Sequence, residues 1–221
     1  MADSEDRNSP FDSEAEAYDA WFDGKGRIIF AIELQALKQV IPGLPKPWLE
    51  VGIGSGRFAH ALGIEMGIDP SAALLEMAKD RVIKVFQAKG EDRFFEDESF
   101  GAVFLILSLC FVQSPIKVLR EAHRILKPKG KLVLAIVPKE SPWGRFYEGK
   151  KIAGHAIYEH AKFYSHQEVS DMLSDVGFSI ERTISTLSQE PGEVKEIESP
   201  QDGYHANAGF LVIVAGKHVP S

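Results

Sequence analysis

Ten residues, LEVGIGSGRF from Leu49 to Phe58, constrain this chain more than any other stretch. An apolar run suited to a buried strand passes directly into Gly52, Gly54 and Gly56, and a helix-forming segment follows. Glycines at a strand-to-helix turn let the backbone reverse tightly and approach a ligand closely, while the first amides of the helix face a carboxylate or phosphate. The spacing here is G-x-G-x-G; Arg57 and Phe58 fall where the dinucleotide fingerprint G-x-G-x-x-G would carry its third glycine and neighbours. A glutamate, Glu50, stands two residues before the first glycine.

From Trp48 onward the order strand, turn, helix repeats, which predicts βαβ units and a parallel sheet. Strands are expected near 47–52, 64–69, 82–87, 101–108 and 131–138, and helices near 57–62, 71–80 and 114–126, the last opened by Ser114-Pro115 and closed by KPKG. Past Gly177, FSIERTIS and AGFLVIVAG read as an antiparallel pair joined by an acidic excursion, 186–208, long enough to serve as a lid. The expected fold is α/β: a Rossmann-like, doubly wound, mostly parallel seven-stranded sheet with a final antiparallel strand and helices on both faces. Ahead of this domain (46–221), residues 1–12 read as a disordered tail, and two helices within 13–45 are expected to cover the site.

Composition narrows the function. Against 25 basic residues stand 32 acidic ones, a formal charge of -7, opposite in sign to what phosphate-backbone binding requires, so nucleic acid is not the expected partner. The triplet Lys127, Lys129 and Lys131 reads as a helix-to-strand loop rather than a phosphate contact. One cysteine, Cys110, forms no intrachain disulfide and leaves zinc without its usual thiolates, so no metal is expected and a reducing, cytoplasmic setting fits. The acidic N-terminus lacks the features of a signal peptide, and no apolar run approaches a bilayer span.

Asp69, in GIDPS, follows Gly52 by 17 residues and ends a short apolar strand, where a carboxylate can accept both hydroxyls of a ribose or cap the next helix. Taken in order, LEVGIGSGRF, GIDPSAALLEMA, GEDRFFEDESFGAVF and VLREAHRILKPKGKLVLAI resemble the class I S-adenosylmethionine-dependent methyltransferases, in particular the small type 11 group, over about residues 45–140. The resemblance implies S-adenosyl-L-methionine as cofactor, S-adenosyl-L-homocysteine as product, and a small-molecule acceptor. Carried over by position, Gly52, Ile53, Gly54 and Gly56 would cradle the methionine and ribose, with Glu50 helping to place the cofactor. Asp69 would bind the ribose, Pro70, Gly90 and Glu91 would meet the adenine, and Tyr18 and Leu107 would complete the cofactor contacts.

Two positions depart from the family. Lys89 stands where relatives commonly carry the acid that meets the adenine amino group, and a lysine cannot accept that bond. Gly101 stands where relatives carry a structural aspartate before the fourth strand.

In such a sheet the ligand lies beyond the carboxyl ends of the strands. Acceptor contacts are therefore expected from Trp21, Tyr158 and His160, with Tyr18, Cys110, Trp143, Tyr147 and Tyr164 as further candidates and His155 as a second candidate base for a hydroxyl acceptor. No catalytic residue is singled out, because in-line methyl displacement needs chiefly proximity and water exclusion. LSLCFV replaces the Asn-Pro-Pro-Tyr signature of enzymes that methylate nucleobase or glutamine nitrogens, which argues against those acceptors. The alternatives are an NAD(P)-dependent Rossmann oxidoreductase and a non-catalytic S-adenosylmethionine-binding protein.

Overall fold

In the computed structural model, which describes residues 9, 11–81 and 83–218, one twisted sheet carries helices on both faces. Strands β1 (Trp48–Val51), β2 (Met66–Asp69), β3 (Lys84–Gln87), β4 (Phe100–Ile106), β5 (Leu126–Ile136), β6 (Phe178–Thr186), β7 (Gln201–Asp202) and β8 (Phe210–Lys217) lie in the order β3-β2-β1-β4-β5-β8-β6-β7. Pairs β1–β2, β1–β4, β2–β3 and β4–β5 are parallel, whereas β8 runs antiparallel to both β5 and β6. The sheet has eight strands rather than seven, because two residues of the acidic excursion add a short strand, β7, at the β6 edge.

Every residue of β1 and β4 is buried, as expected of strands covered on both faces. Helices α1 (Ala15–Asp23), α2 (Arg27–Lys38) and α3 (Arg57–Leu62) share one core with the sheet through Phe22, Ile32, Leu37 and Phe58. Helices α5 (Pro115–Ile125) and α7 (His166–Val176) form the opposite core through Val118, Leu119, Val169 and Leu173. Between β2 and β3 comes α4 (Ala72–Asp80), and after β5 comes α6 (Pro142–Ile152). Local chemistry sets the ends. Ser71, Ser141 and Ser165 each accept a backbone amide at the start of α4, α6 and α7, the last in a capping box with Glu168, and Gly177 ends α7 in the left-handed region.

Some boundaries differ from expectation for a visible reason. The run KPKG does not close α5; Leu126 is fully buried and pairs with Phe100, so Lys127, Lys129 and Lys131 belong to β5 and not to a loop. The ladder shifts register between Phe100 and Ala102 and resumes at Ala102–Lys131. Gly101 sits at that irregularity, and a Cβ there would fall 2.2 Å from the Pro45 carbonyl oxygen. A side chain at this position would force that backbone to shift. No described helix is long and apolar enough to cross a membrane.

In the N-terminal segment, residues 1–8 and 10 of the expected tail lie outside the described residues. Asp12 accepts hydrogen bonds from Ser71 Oγ at 2.6 Å and from the Ala73 amide at 3.3 Å, holding this segment to the start of α4. Helix α1 is clamped from below: Arg57 donates to Asp19 at 2.6 and 2.9 Å and to Asp23 at 2.6 and 2.8 Å, and Arg81 reaches Asp19 at 2.9 and 3.0 Å. These guanidinium bonds hold the Asp19 carboxyl well below its usual range despite its partial burial.

Candidate active site

Strand order reverses between β1 and β4, and a cleft of about 460 Å³ opens beyond their carboxyl ends. Gly52, Gly54 and Gly56 all have positive φ, at 75°, 54° and 80°. Their duties differ. Side chains at Gly52 and Gly56 would strike Ser108 and Ile83, whereas a Cβ at Gly54 would meet only the Tyr18 and Leu74 side chains, each at 3.9 Å. Gly54 therefore presents bare backbone to the cleft, while its neighbours let the turn pack against β4 and α4.

Asp69 binds the turn to the second strand. Its Oδ2 accepts the Gly54 amide at 2.9 Å and its Oδ1 accepts the Ser71 amide at 2.8 Å, leaving lone pairs on both oxygens for further donors. Burial raises its pKa to about 6, against the lowering effect of the two amides. Ser71 caps α4, so Asp69 is free of that duty. Glu50, 2 % exposed, lies beneath the turn; its Oε2 has no hydrogen-bond partner among the described residues, and burial with the nearby Asp69 charge pushes its pKa well up.

Of the residues expected at the cofactor, Tyr18, Gly52, Gly54, Asp69, Pro70, Gly90, Glu91 and Leu107 line this cleft. Glu50, Ile53 and Gly56 do not: Ile53 packs beneath, against Gly67, and Gly56 starts α3. Lys89 also lines the cleft, its amide on the Asp92 carboxylate at 2.9 Å, while Glu91 Oε1 accepts the Ser114 amide at 3.1 Å and so has only part of its capacity for a ligand. Sequence reading did not find Ser9, Phe11, Ser108 and Phe111, which complete the wall. Phe11 had no periodic pattern around it to mark it, yet its ring packs edge-on against Tyr18 and Phe111 at 5.4 and 5.0 Å.

A second cavity, about 260 Å³, adjoins the first. Tyr18, Leu107 and Phe111 line both, forming a common wall. Leu107 holds a φ of 55°, rare for a branched residue, fixed by its amide bond to the Ala135 carbonyl at 2.9 Å; this backbone strain sits where the cavities meet. Trp21, Cys110, Tyr147, Tyr158 and Tyr164 of the acceptor candidates line the second cavity, as does His155. Two candidates lie elsewhere. His160 lines the first cleft, exposed and paired with Glu159 at 3.2 Å. Trp143 is buried and donates to the Gln189 carbonyl at 2.8 Å, a packing role.

Cys110 gives its thiol proton to the Leu107 carbonyl at 3.4 Å, and burial pushes its pKa to about 12, so it is a neutral wall group. The group that sequence reading missed here is Glu33, a glutamate 4 % exposed on α2 that faces the cavity. The signal was present: Glu33 falls four residues after Ile29 and four before Leu37, inside the apolar stripe. Neither cavity is lined by any residue of 186–208, which is tied instead by Glu198 to Ser188 at 2.7 and 2.9 Å and by Tyr204 to Glu140 at 2.7 Å.

The sheet order, the glycine turn and the carboxylate on β2 define a Rossmann-like fold with a cleft at its switch point and a second cavity beside it. Residues 49–134 match the methyltransferase domain family. An uncharacterised protein of Mycobacterium tuberculosis is 41% identical over 204 residues, covering 91% of this chain and 72% of its own. One from Methanocaldococcus jannaschii is 40% identical over 207 residues, covering 94% and 98%. A crystal structure from Thermotoga maritima, described as an "SAM-dependent methyltransferase, possible histamine N-methyltransferase", superposes with a TM-score of 0.87 at 36% identity, covering 94% of this chain and 98% of that one. The chain belongs to the class I S-adenosylmethionine-dependent methyltransferases.

Proposed function

We propose that the larger cleft holds S-adenosylmethionine and that its methyl group passes to a small molecule seated in the second cavity. The observation that carries this reading is the set Tyr18, Leu107 and Phe111 lining both spaces, which would set donor and acceptor side by side. The residues fit the cofactor's chemistry. Asp69 keeps lone pairs for two ribose hydroxyls, and the bare Gly54 backbone admits close approach. A pyrophosphate would meet two buried carboxyls at the same turn, which disfavours a dinucleotide. Pro70, Gly90 and Glu91 would flank the adenine, with Lys89 closing that end.

When bound, the cofactor supplies an electrophilic methyl whose bond to sulfur breaks, its electron pair staying on sulfur, as the acceptor's lone pair forms the new bond. The chain's contribution is alignment, exclusion of water and the fate of the acceptor's proton. A cavity of about 260 Å³ suits a small molecule and not a polymer, which accords with the acidic charge and with work in a reducing cytoplasm.

Calorimetric titration with S-adenosylhomocysteine tests the reading. Wild-type protein is expected to bind it, and Asp69→Ala to bind at least about tenfold more weakly, the loss of a charge-assisted hydrogen-bond pair. Binding of NADH with no heat from S-adenosylhomocysteine would contradict it.

A further inference from the structure

The second cavity is walled mostly by rings, yet one acid faces it. Tyr147 lies 4.6 Å from Tyr158 and 6.0 Å from Phe163, centroid to centroid, and Tyr18, Trp21 and Phe22 close the side formed by α1. Glu33 enters from α2 beneath them, 4 % exposed, with no hydrogen bond or ion pair to any described residue. A carboxyl in such a place is costly to bury, and a leucine would fill that stripe position at no such cost. Packing therefore does not explain it.

We infer that the second cavity takes a primary or secondary amine, whose ammonium group seats on the Glu33 carboxylate among the ring faces of Tyr18, Trp21, Tyr147 and Tyr158. This rests on the reading of that cavity as the acceptor site. Ring faces carry negative charge density and attract a cation, and a desolvated carboxylate beside them strengthens the preference. An anionic acceptor would be repelled by both. A neutral alcohol could bond to Glu33 but would gain nothing from the rings.

The same pair settles the proton. An ammonium nitrogen has no lone pair; when one of its N–H bonds breaks, the electrons stay on nitrogen and the proton moves to a Glu33 oxygen, leaving a neutral amine and a neutral acid. Among apolar rings that neutral pair is favoured over separated charges. The amine lone pair is then free to take the methyl, and Glu33 stays protonated as the methylated ammonium leaves, the one proton of the turnover having gone to water when the ammonium seated on the carboxylate.

Burial alone raises the Glu33 pKa to about 8, which makes it a competent acceptor for an ammonium proton. The tyrosines and the cysteine around it stay neutral near neutral pH. Tyr18 on α1 and Tyr147 on α6 are raised by burial, Tyr158 reaches about 12, and Cys110 and Tyr164 are raised for the same reason. Lys150, lowered by desolvation and by Lys25, stands over the Tyr147 and Tyr158 rings at 5.6 and 5.3 Å; Glu14 and His155 complete the rim.

The test is calorimetry at pH 6.5 on wild-type protein saturated with S-adenosylhomocysteine, using 2-phenylethylamine and n-hexylamine against 2-phenylethanol and n-hexanol. At least one amine is expected to bind ten times or more tighter than its alcohol, with release of about one proton per amine, measured from buffers of different ionisation heat, and none per alcohol. Glu33→Gln should abolish that preference while S-adenosylhomocysteine affinity stays within twofold. Equal affinity of amine and alcohol, no binding by either amine, or an unchanged preference in Glu33→Gln would overturn the inference and leave the methyltransferase reading standing. Failure of wild-type protein to bind S-adenosylhomocysteine would remove both.

Discussion

Three buried carboxyls, Asp69, Glu50 and Glu33, share one fold and differ in what holds them. Asp69 is tied by two amides and rises only to about 6. Glu33 has no such bonds and rises from 4.5 to about 8. The consequence for stability has a definite sign. Between pH 4.5 and 8 the unfolded chain has released the Glu33 proton while the folded chain keeps it, so this group's contribution is fully present below 4.5 and is lost as pH rises through 8. Glu33→Gln removes that loss. Its melting temperature relative to wild type is expected to climb by roughly 5 °C or more between pH 5 and pH 9 in thermal denaturation, a few kcal/mol at a domain of this size. A difference that stays flat with pH would show that Glu33 ionises freely in the folded protein.

Helix α1 connects this chemistry to the fold. It brings Tyr18 to the wall between the cavities and Trp21 to the second one, and it is held by the Asp19–Arg57–Arg81 clamp rather than by a large apolar face, since only Ala15 and Phe22 in it are buried. Arg57 occupies the place where a dinucleotide-binding turn would continue toward its third glycine, so the spacing that separates the two fingerprints also supplies the anchor for the cover. Arg57→Ala is expected to weaken S-adenosylhomocysteine binding by about tenfold and to speed amide hydrogen exchange in 15–23, with exchange in β4 and β5 unchanged. If exchange in α1 does not move, the helix is held by something other than this clamp. No residue of the excursion 186–208, which has its own strand and internal bonds, lines either cavity, whereas Tyr18 and Trp21 of α1 do.

For the molecule as a whole, what could be read from the sequence follows from how local each signal is. The glycine turn, the step to Asp69 and the alternation of strands and helices are short-range patterns, and they pointed to a mostly parallel sheet and to residues that line the larger cleft. Phe11 and Asp12 reach the site through contacts with Phe111 and Ser71, far away in sequence, and nothing in their own neighbourhood marks them. Leu126 belongs to β5 because of its pairing with Phe100, not because KPKG looks like strand. Gly101 has the Pro45 backbone against it, again a distant contact. Glu33 stands between these cases, visible as an acid in an apolar stripe but interpretable only once the rings around it are in place. The central claim is that two cavities meet at Tyr18, Leu107 and Phe111 so that a methyl can cross, and a crystal structure with S-adenosylhomocysteine tests it most directly. The ribose is expected on Asp69 and the sulfur facing that wall toward the second cavity; a sulfur turned away from it, or a ribose bound elsewhere, would contradict this.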